Sequence, residues 1–265
     1  MRDSLRRGWE TVAPPLIVLL LGGMLWHAGV TLGRVKPIIL PGPLLVLQAL
    51  GDHGWRLGRA AWFTGSAAAL GFISSLLVGV SLALLFSQVR WLRLGTLPYL
   101  VFLQTVPIVA LAPLVVHWCG RGWHSVVLIS AILGLFPITT NTTTGLLRVD
   151  PDWLDLFRLY QANRWTTLWK LRLPAAIPSL CLAARTASGL CVVGSIVGEY
   201  FVGYSSRTAG LGYLILITTD QLKMAELFAT VLVCTLVALV MFSLVSVVTS
   251  WIMQRWYDAE QEHRH

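Results

Sequence analysis

Apolar residues in this chain gather in long, nearly unbroken blocks rather than alternating or following one helical stripe. Six blocks are each long enough to cross about 30 Å of hydrocarbon, which takes about 20 helical residues. They run from about Val12 to Leu32, Ala60 to Phe86, Leu97 to Trp118, Val126 to Leu147, Ile177 to Val202 and Leu227 to Trp251. The pattern predicts an all-α polytopic membrane protein with six transmembrane helices and no soluble domain. It divides into a first helix with its outer loop (1–58), a core transmembrane domain (59–256) and a short cytoplasmic tail (257–265). The first block follows Arg2, Arg6 and Arg7 and so also fits a signal peptide. Trp26 and His27 stand where small residues should mark cleavage, which favours a retained span.

Composition narrows the class further. Hydrophobic residues make up 56% of the 265 positions and charged residues only 12%, against about 25% charged in a soluble domain. Mean hydropathy is +0.72. These values exclude an ordinary soluble enzyme, a disordered chain and a nucleic-acid binder. The formal charge of +8 is dispersed between the apolar blocks. Placing the N-terminus inside puts twelve basic residues on the cytoplasmic side against seven outside, so both termini are expected in the cytoplasm. Many of the twelve Trp residues fall at block ends, as in an interfacial belt. Cys119, Cys181, Cys191 and Cys234 are too scattered for a disulfide framework or a zinc site, and His27, His117 and His124 lack metal-ligand spacing.

The polar stretch from Arg148 to Pro178 holds the most information. Asp150-Pro151-Asp152 is a helix start: Asp as N-cap, Pro at the first helical position, and Asp152 and Asp155 near the positive end of the dipole. Trp153, Leu156, Phe157 and Tyr160 then recur at helical spacing. Ala162-Asn163 is expected to end a helix of about twelve residues, roughly 18 Å long. Its aromatic face fits either the lipid headgroups or a cytoplasmic partner protein, and the acids at its start favour the partner. Leu173-Pro174 is expected to break the chain before the fifth span.

Within the spans, ionisable groups are costly and usually face a partner or an aqueous cavity. Arg185 and Glu199 lie fourteen residues apart in the fifth block, about 21 Å along a helix, too far to pair with each other. Arg185 either attracts an anionic solute or braces a neighbouring helix; Glu199 braces the outer end. Gln104, Ser130, Thr139, Thr140 and Asn141 are pathway candidates, with interhelical hydrogen bonding as the competing role. Residues 203–214 read as an outer loop.

Asp155 to Ala162 followed by Leu171-Arg172-Leu173-Pro174 resembles the "EAA" loop of ATP-binding-cassette importer permeases, which reads E-A-A, three residues, G, nine residues, I-x-L-P. Asp155 stands for the acid and Gln161 for the Gly, with Leu156 and Phe157 replacing the two alanines. The departure at Gln161 implies a turn built differently. Leu40-Pro41-Gly42-Pro43, Pro107 to Leu114, Phe136-Pro137-Ile138 with Asn141-Thr142 and Gly145, and Ala184-Arg185, Glu199 and Gly210-Leu211-Gly212 resemble motifs of the branch that carries nitrate, sulfonates, taurine, bicarbonate and pyrimidine precursors.

The resemblance implies a type I importer permease fold in a bacterial cytoplasmic (inner) membrane. It implies a second copy of the permease, two cytoplasmic ATP-binding subunits and an extracytoplasmic substrate-binding protein as partners. It also implies a coupling helix between spans four and five, carrying Asp152, Asp155, Phe157, Arg158, Tyr160, Gln161 and Ala162. The chain has no G-x-x-x-x-G-K-[ST] loop, so no catalytic residue and no cofactor is assigned to it, and ATP and Mg belong to the partner ATPases. Two other classes compete: an ion-coupled secondary transporter, disfavoured by the lack of an internal repeat, and a membrane anchor or assembly protein, which leaves Arg185 without a role.

Overall fold

The computed structural model describes residues 2–203 and 209–262, with side chains from Ala13 to Arg255 apart from Pro15, Leu16 and Leu103. Arg207 and Arg264, both used in the charge count, lie outside the described residues. The described residues form helices and connections: α1 (Arg2–Leu32), α2 (Pro43–Asp52), α3 (Gly54–Gln88), α4 (Arg90–Thr105), α5 (Ile108–Cys119), α6 (Trp123–Leu147), α7 (Pro151–Leu159), α8 (Arg164–Thr167), α9 (Leu173–Val202), α10 (Leu211–Asp220) and α11 (Met224–Glu262). Among the described residues, four helical runs are long and apolar enough to cross a membrane: Gly54–Gln88, Trp123–Leu147, Arg164–Val202 and Met224–Arg255.

Several expectations change. The block from Leu97 to Trp118 is two helices, α4 and α5, interrupted at Val106 and Pro107. Pro107 has no N–H to continue the ladder, and Val106 before it is pushed to an extended ψ of 123°. The predicted outer loop, 203–214, gives way at Leu211 to α10, whose Gly-rich start concealed an apolar helix from the pattern. Pro174 does not break the chain either. A π-helical turn, Leu168–Arg172, joins α8 to α9, and the Leu173 N–H reaches back five residues to the Leu168 carbonyl. The wider turn makes room for the proline ring, which would otherwise meet the carbonyl four residues earlier.

Two compact units emerge. One comprises Met1–Gly58 with Leu214–Val233. In it, the Trp26 and Phe228 rings stack at 5.8 Å, and Glu226 is ringed by His53 at 3.4 Å, Lys223 at 3.6 Å and Arg56 at 3.8 Å. The other comprises Arg59–Tyr213 with Cys234–His265 and holds α6 against α9. That seam is made of small residues. A Cβ on Gly194 would lie 2.7 Å from the Cα of Ser130, and one on Gly145 would lie 2.7 Å from the Ser179 side chain. Ser130 Oγ donates to the Cys191 carbonyl at 2.9 Å across the same contact. Close backbone approach of this kind maximises dispersion where no hydrophobic effect drives helices together.

Candidate functional site

Three sets of residues carry the functional candidates, all in the second unit. The first is α7. Asp150 accepts from the Asp152 N–H at 3.0 Å, so the predicted cap is made. The helix ends three residues earlier than expected, at Leu159, in a Schellman turn. The Ala162 N–H bonds the Phe157 carbonyl at 2.9 Å and the Gln161 N–H bonds the Arg158 carbonyl at 2.9 Å. Gln161 takes φ +52°, the left-handed conformation that a Gly adopts freely. The turn is therefore of the ordinary kind, with the strain carried by Gln161. Asn163 does not end α7: its side chain accepts from the Thr166 N–H at 2.7 Å and so starts α8.

The predicted aromatic face divides in two. Trp153, Leu156 and Tyr160 are exposed, at 56%, 39% and 80%. Phe157 is half-buried and turns with Leu154 to line a hollow of about 380 Å³ whose other walls include Ser87, Gln88 and Arg172. Arg172 Nη1 donates to the Ser87 carbonyl at 3.0 Å, which fastens the π-helical turn to the end of α3. Asp155 and Arg158 pair at 2.8 Å on the exposed side. The result is a capped helix with an exposed apolar face.

Glu199 anchors the second set. It is buried, and its Oε2 accepts from Thr64 Oγ1 at 2.8 Å and from the Gly212 N–H at 2.9 Å. Thr64 Oγ1 in turn accepts from the Leu211 N–H at 2.9 Å. The first N–H groups of α10 have no helical partner, so this carboxylate and hydroxyl cap the helix and bind α3, α9 and α10 together. Gly210 and Gly212 press against Glu199 so closely that a Cβ at either would collide with it.

Arg185 anchors the third, with Nε donating to Thr249 Oγ1 at 2.7 Å and Nη2 to Ser250 Oγ at 2.9 Å. The other pathway candidates do not converge with these. Asn141 is exposed on α6 and donates to the Pro137 carbonyl at 2.9 Å, while Gln104 is exposed near the end of α4. Thr139 and Thr140 donate back to carbonyls four residues earlier in their own helix. Sequence reasoning missed Thr64, Thr249, Ser250 and the link from Arg172 to Ser87, and no local signal marks any of them.

The family model described as the inner membrane component of binding-protein-dependent transport systems matches residues 75–257. The chain belongs to that family. It is an ABC importer permease subunit, an integral membrane transport protein. The permease is 32% identical to a probable ABC transporter permease protein of Haemophilus influenzae, over 91% of this chain and 96% of the relative. It is 32% identical to the riboflavin transport system permease protein of Chloroflexus aurantiacus, over 97% and 94%. A formylaminopyrimidine transport permease protein of Halalkalibacterium halodurans is 29% identical over 90% and 94%.

Proposed function

We propose that this permease forms the translocation pathway for a small solute and couples its passage to partner ATPases through α7. The observation that carries the reading is α7 itself. It is capped at both ends, shows Trp153 and Tyr160 to the outside, and joins the membrane through one continuous helical run from Arg164 to Val202. A knob of this build transmits displacement through the short connection to that run, which the Ala162 N–H to Phe157 carbonyl bond and the Asn163 cap hold in place. The remaining architecture follows the family reading. Six spans are made by α1, α3, the pair α4 and α5, α6, α9 and α11, with both termini in the cytoplasm of a bacterial inner membrane. Two copies face two ATP-binding subunits that hold ATP and Mg, and a substrate-binding protein delivers the solute from outside.

The solute class is a small heteroaromatic vitamin or vitamin precursor. Two of the relatives named above carry riboflavin and a formylaminopyrimidine, and both match nearly the whole chain. The test is uptake by proteoliposomes holding the permease, its ATPase and its binding protein. ATP-dependent entry of a labelled pyrimidine or flavin is expected, and entry of sulfonate or nitrate in its place would overturn the assignment. Failure of the permease to co-purify with any ATPase would overturn the coupling reading as well.

A further inference from the structure

Beside Arg185 lie two adjoining hollows. Between α3, α9 and α11 lies a crevice of about 470 Å³ walled by Phe72, Leu76, Leu180, Val245, Val248 and Ile252. A neighbouring hollow of about 320 Å³ is lined by Arg185, Ser250 and Gln254, and Cys181 belongs to the walls of both. One hollow is apolar and the other carries a cation. Among the described residues no carboxylate lies within ion-pair distance of Arg185, and its two hydroxyl acceptors leave three of its five N–H donors free for an anion.

The depth of the site along the helices identifies the occupant. About 20 residues cross the hydrocarbon, and counting them from Leu227, just after Glu226, ends near Ser246. Thr249 and Ser250 thus fall at the polar boundary, followed by Trp251, over whose ring the Arg255 guanidinium lies at 4.4 Å. An indole and two guanidiniums at one level mark the headgroup region. Only 6% of the apolar window of α11 is buried within the chain, so most of that helix is left for lipid or another chain to cover.

We propose that the crevice is a binding site for one anionic glycerophospholipid, with its phosphate on Arg185 and one acyl chain in the apolar hollow. Charge complementarity selects the headgroup, and the apolar wall selects a chain over a soluble anion. The site staples α9 to α11 at the α7 end of the permease, where ATPase movements enter the membrane. This inference rests on the transmembrane reading but not on the identity of the solute.

The test is native mass spectrometry of the detergent-purified permease with its ATPase, incubated with equimolar phosphatidylglycerol and phosphatidylcholine of matched chains. Wild-type protein is expected to retain phosphatidylglycerol over phosphatidylcholine by about tenfold, the size of one desolvated charge-assisted contact. Arg185→Gln is expected to abolish the preference, and Val248→Trp, which fills the hollow, to reduce retention of both lipids. Equal retention of the two lipids by wild type overturns the proposal, and so does a preference that survives both substitutions. Displacement of phosphatidylglycerol by millimolar inorganic phosphate overturns it in favour of a soluble anion. Loss of the permease dimer in Val248→Trp, with lipid retention unchanged, overturns it in favour of a second copy. Should either variant fail to fold, the wild-type comparison decides alone. Extraction of the chain from membranes by alkaline carbonate would instead sink the transmembrane reading.

Discussion

Removing the Glu199 carboxylate tests the α10 cap directly. In Glu199→Ala the Gly212 N–H loses its acceptor at a buried position, which costs about 1–3 kcal/mol. The Thr64 hydroxyl suffers less, because the Ala60 carbonyl lies 3.1 Å away as a second acceptor. Loss of the side-chain stem from a packed site brings the total to about 2–4 kcal/mol. At about 2–4 °C per kcal/mol for a chain of this size, the melting temperature should fall by about 5–15 °C. Glu199→Gln keeps an oxygen where both donors converge and loses only the charge assistance, so it should cost about 1 kcal/mol. Thr64→Val orphans the Leu211 N–H and should cost about 1–3 kcal/mol. The Thr64→Val/Glu199→Ala double variant should lose less than the sum of the single losses, because the two side chains share one bond. Thermal unfolding of the detergent-solubilised permease, followed by tryptophan fluorescence, reads all four. A Glu199→Ala protein that melts with wild type would refute the cap. A Glu199→Gln protein as unstable as Glu199→Ala would show that charge, not the acceptor, matters there.

Other consequences are smaller and separable. Gln161→Gly relieves the left-handed strain and should raise stability by about 0.5–1 kcal/mol, measured by the same melt, with uptake unchanged. Trp153→Ala with Tyr160→Ala should abolish solute-stimulated ATP hydrolysis while the chain still inserts. Phe157→Ala should instead lower stability by about 2–4 kcal/mol, because that ring packs inward. Gly194→Val should separate α6 from α9 and prevent folding, seen as loss of the monodisperse peak in size-exclusion chromatography. Arg172→Gln should free the end of α3 and slow coupled transport more than substrate binding.

Long apolar runs announced α3, α6, α9 and α11 because a bilayer demands them whatever the neighbours are. The start of α7 was equally legible, since Asp150, Pro151 and Asp152 act within four residues of one another. Its end was not. Asn163 has the better intrinsic left-handed tendency, yet the pattern of carbonyl bonds selected Gln161, and only tertiary placement settles such a contest. The break at Val106 and Pro107 hid inside an apolar block because hydropathy is blind to backbone donors. Glu199 was visible as an ionisable group at membrane depth. Its partner Thr64 sits 135 residues away, and an ordinary threonine in an apolar helix carries no mark of what it will meet.

The seam between α6 and α9 has a mechanical meaning. Helices separated by leucine side chains slide by exchanging rotamers, which cushions motion in small steps. Here Gly194 lets two backbones touch, and no layer of side chains remains to yield. The pair is therefore a girder with almost no internal degrees of freedom. A shape change of this chain has to be absorbed at the articulations around it: the gap between α4 and α5, the wide turn before α9, and Gly203 at its far end, where φ is +65°. Stiffness in the centre converts a small rotation at one joint into a displacement at the opposite face.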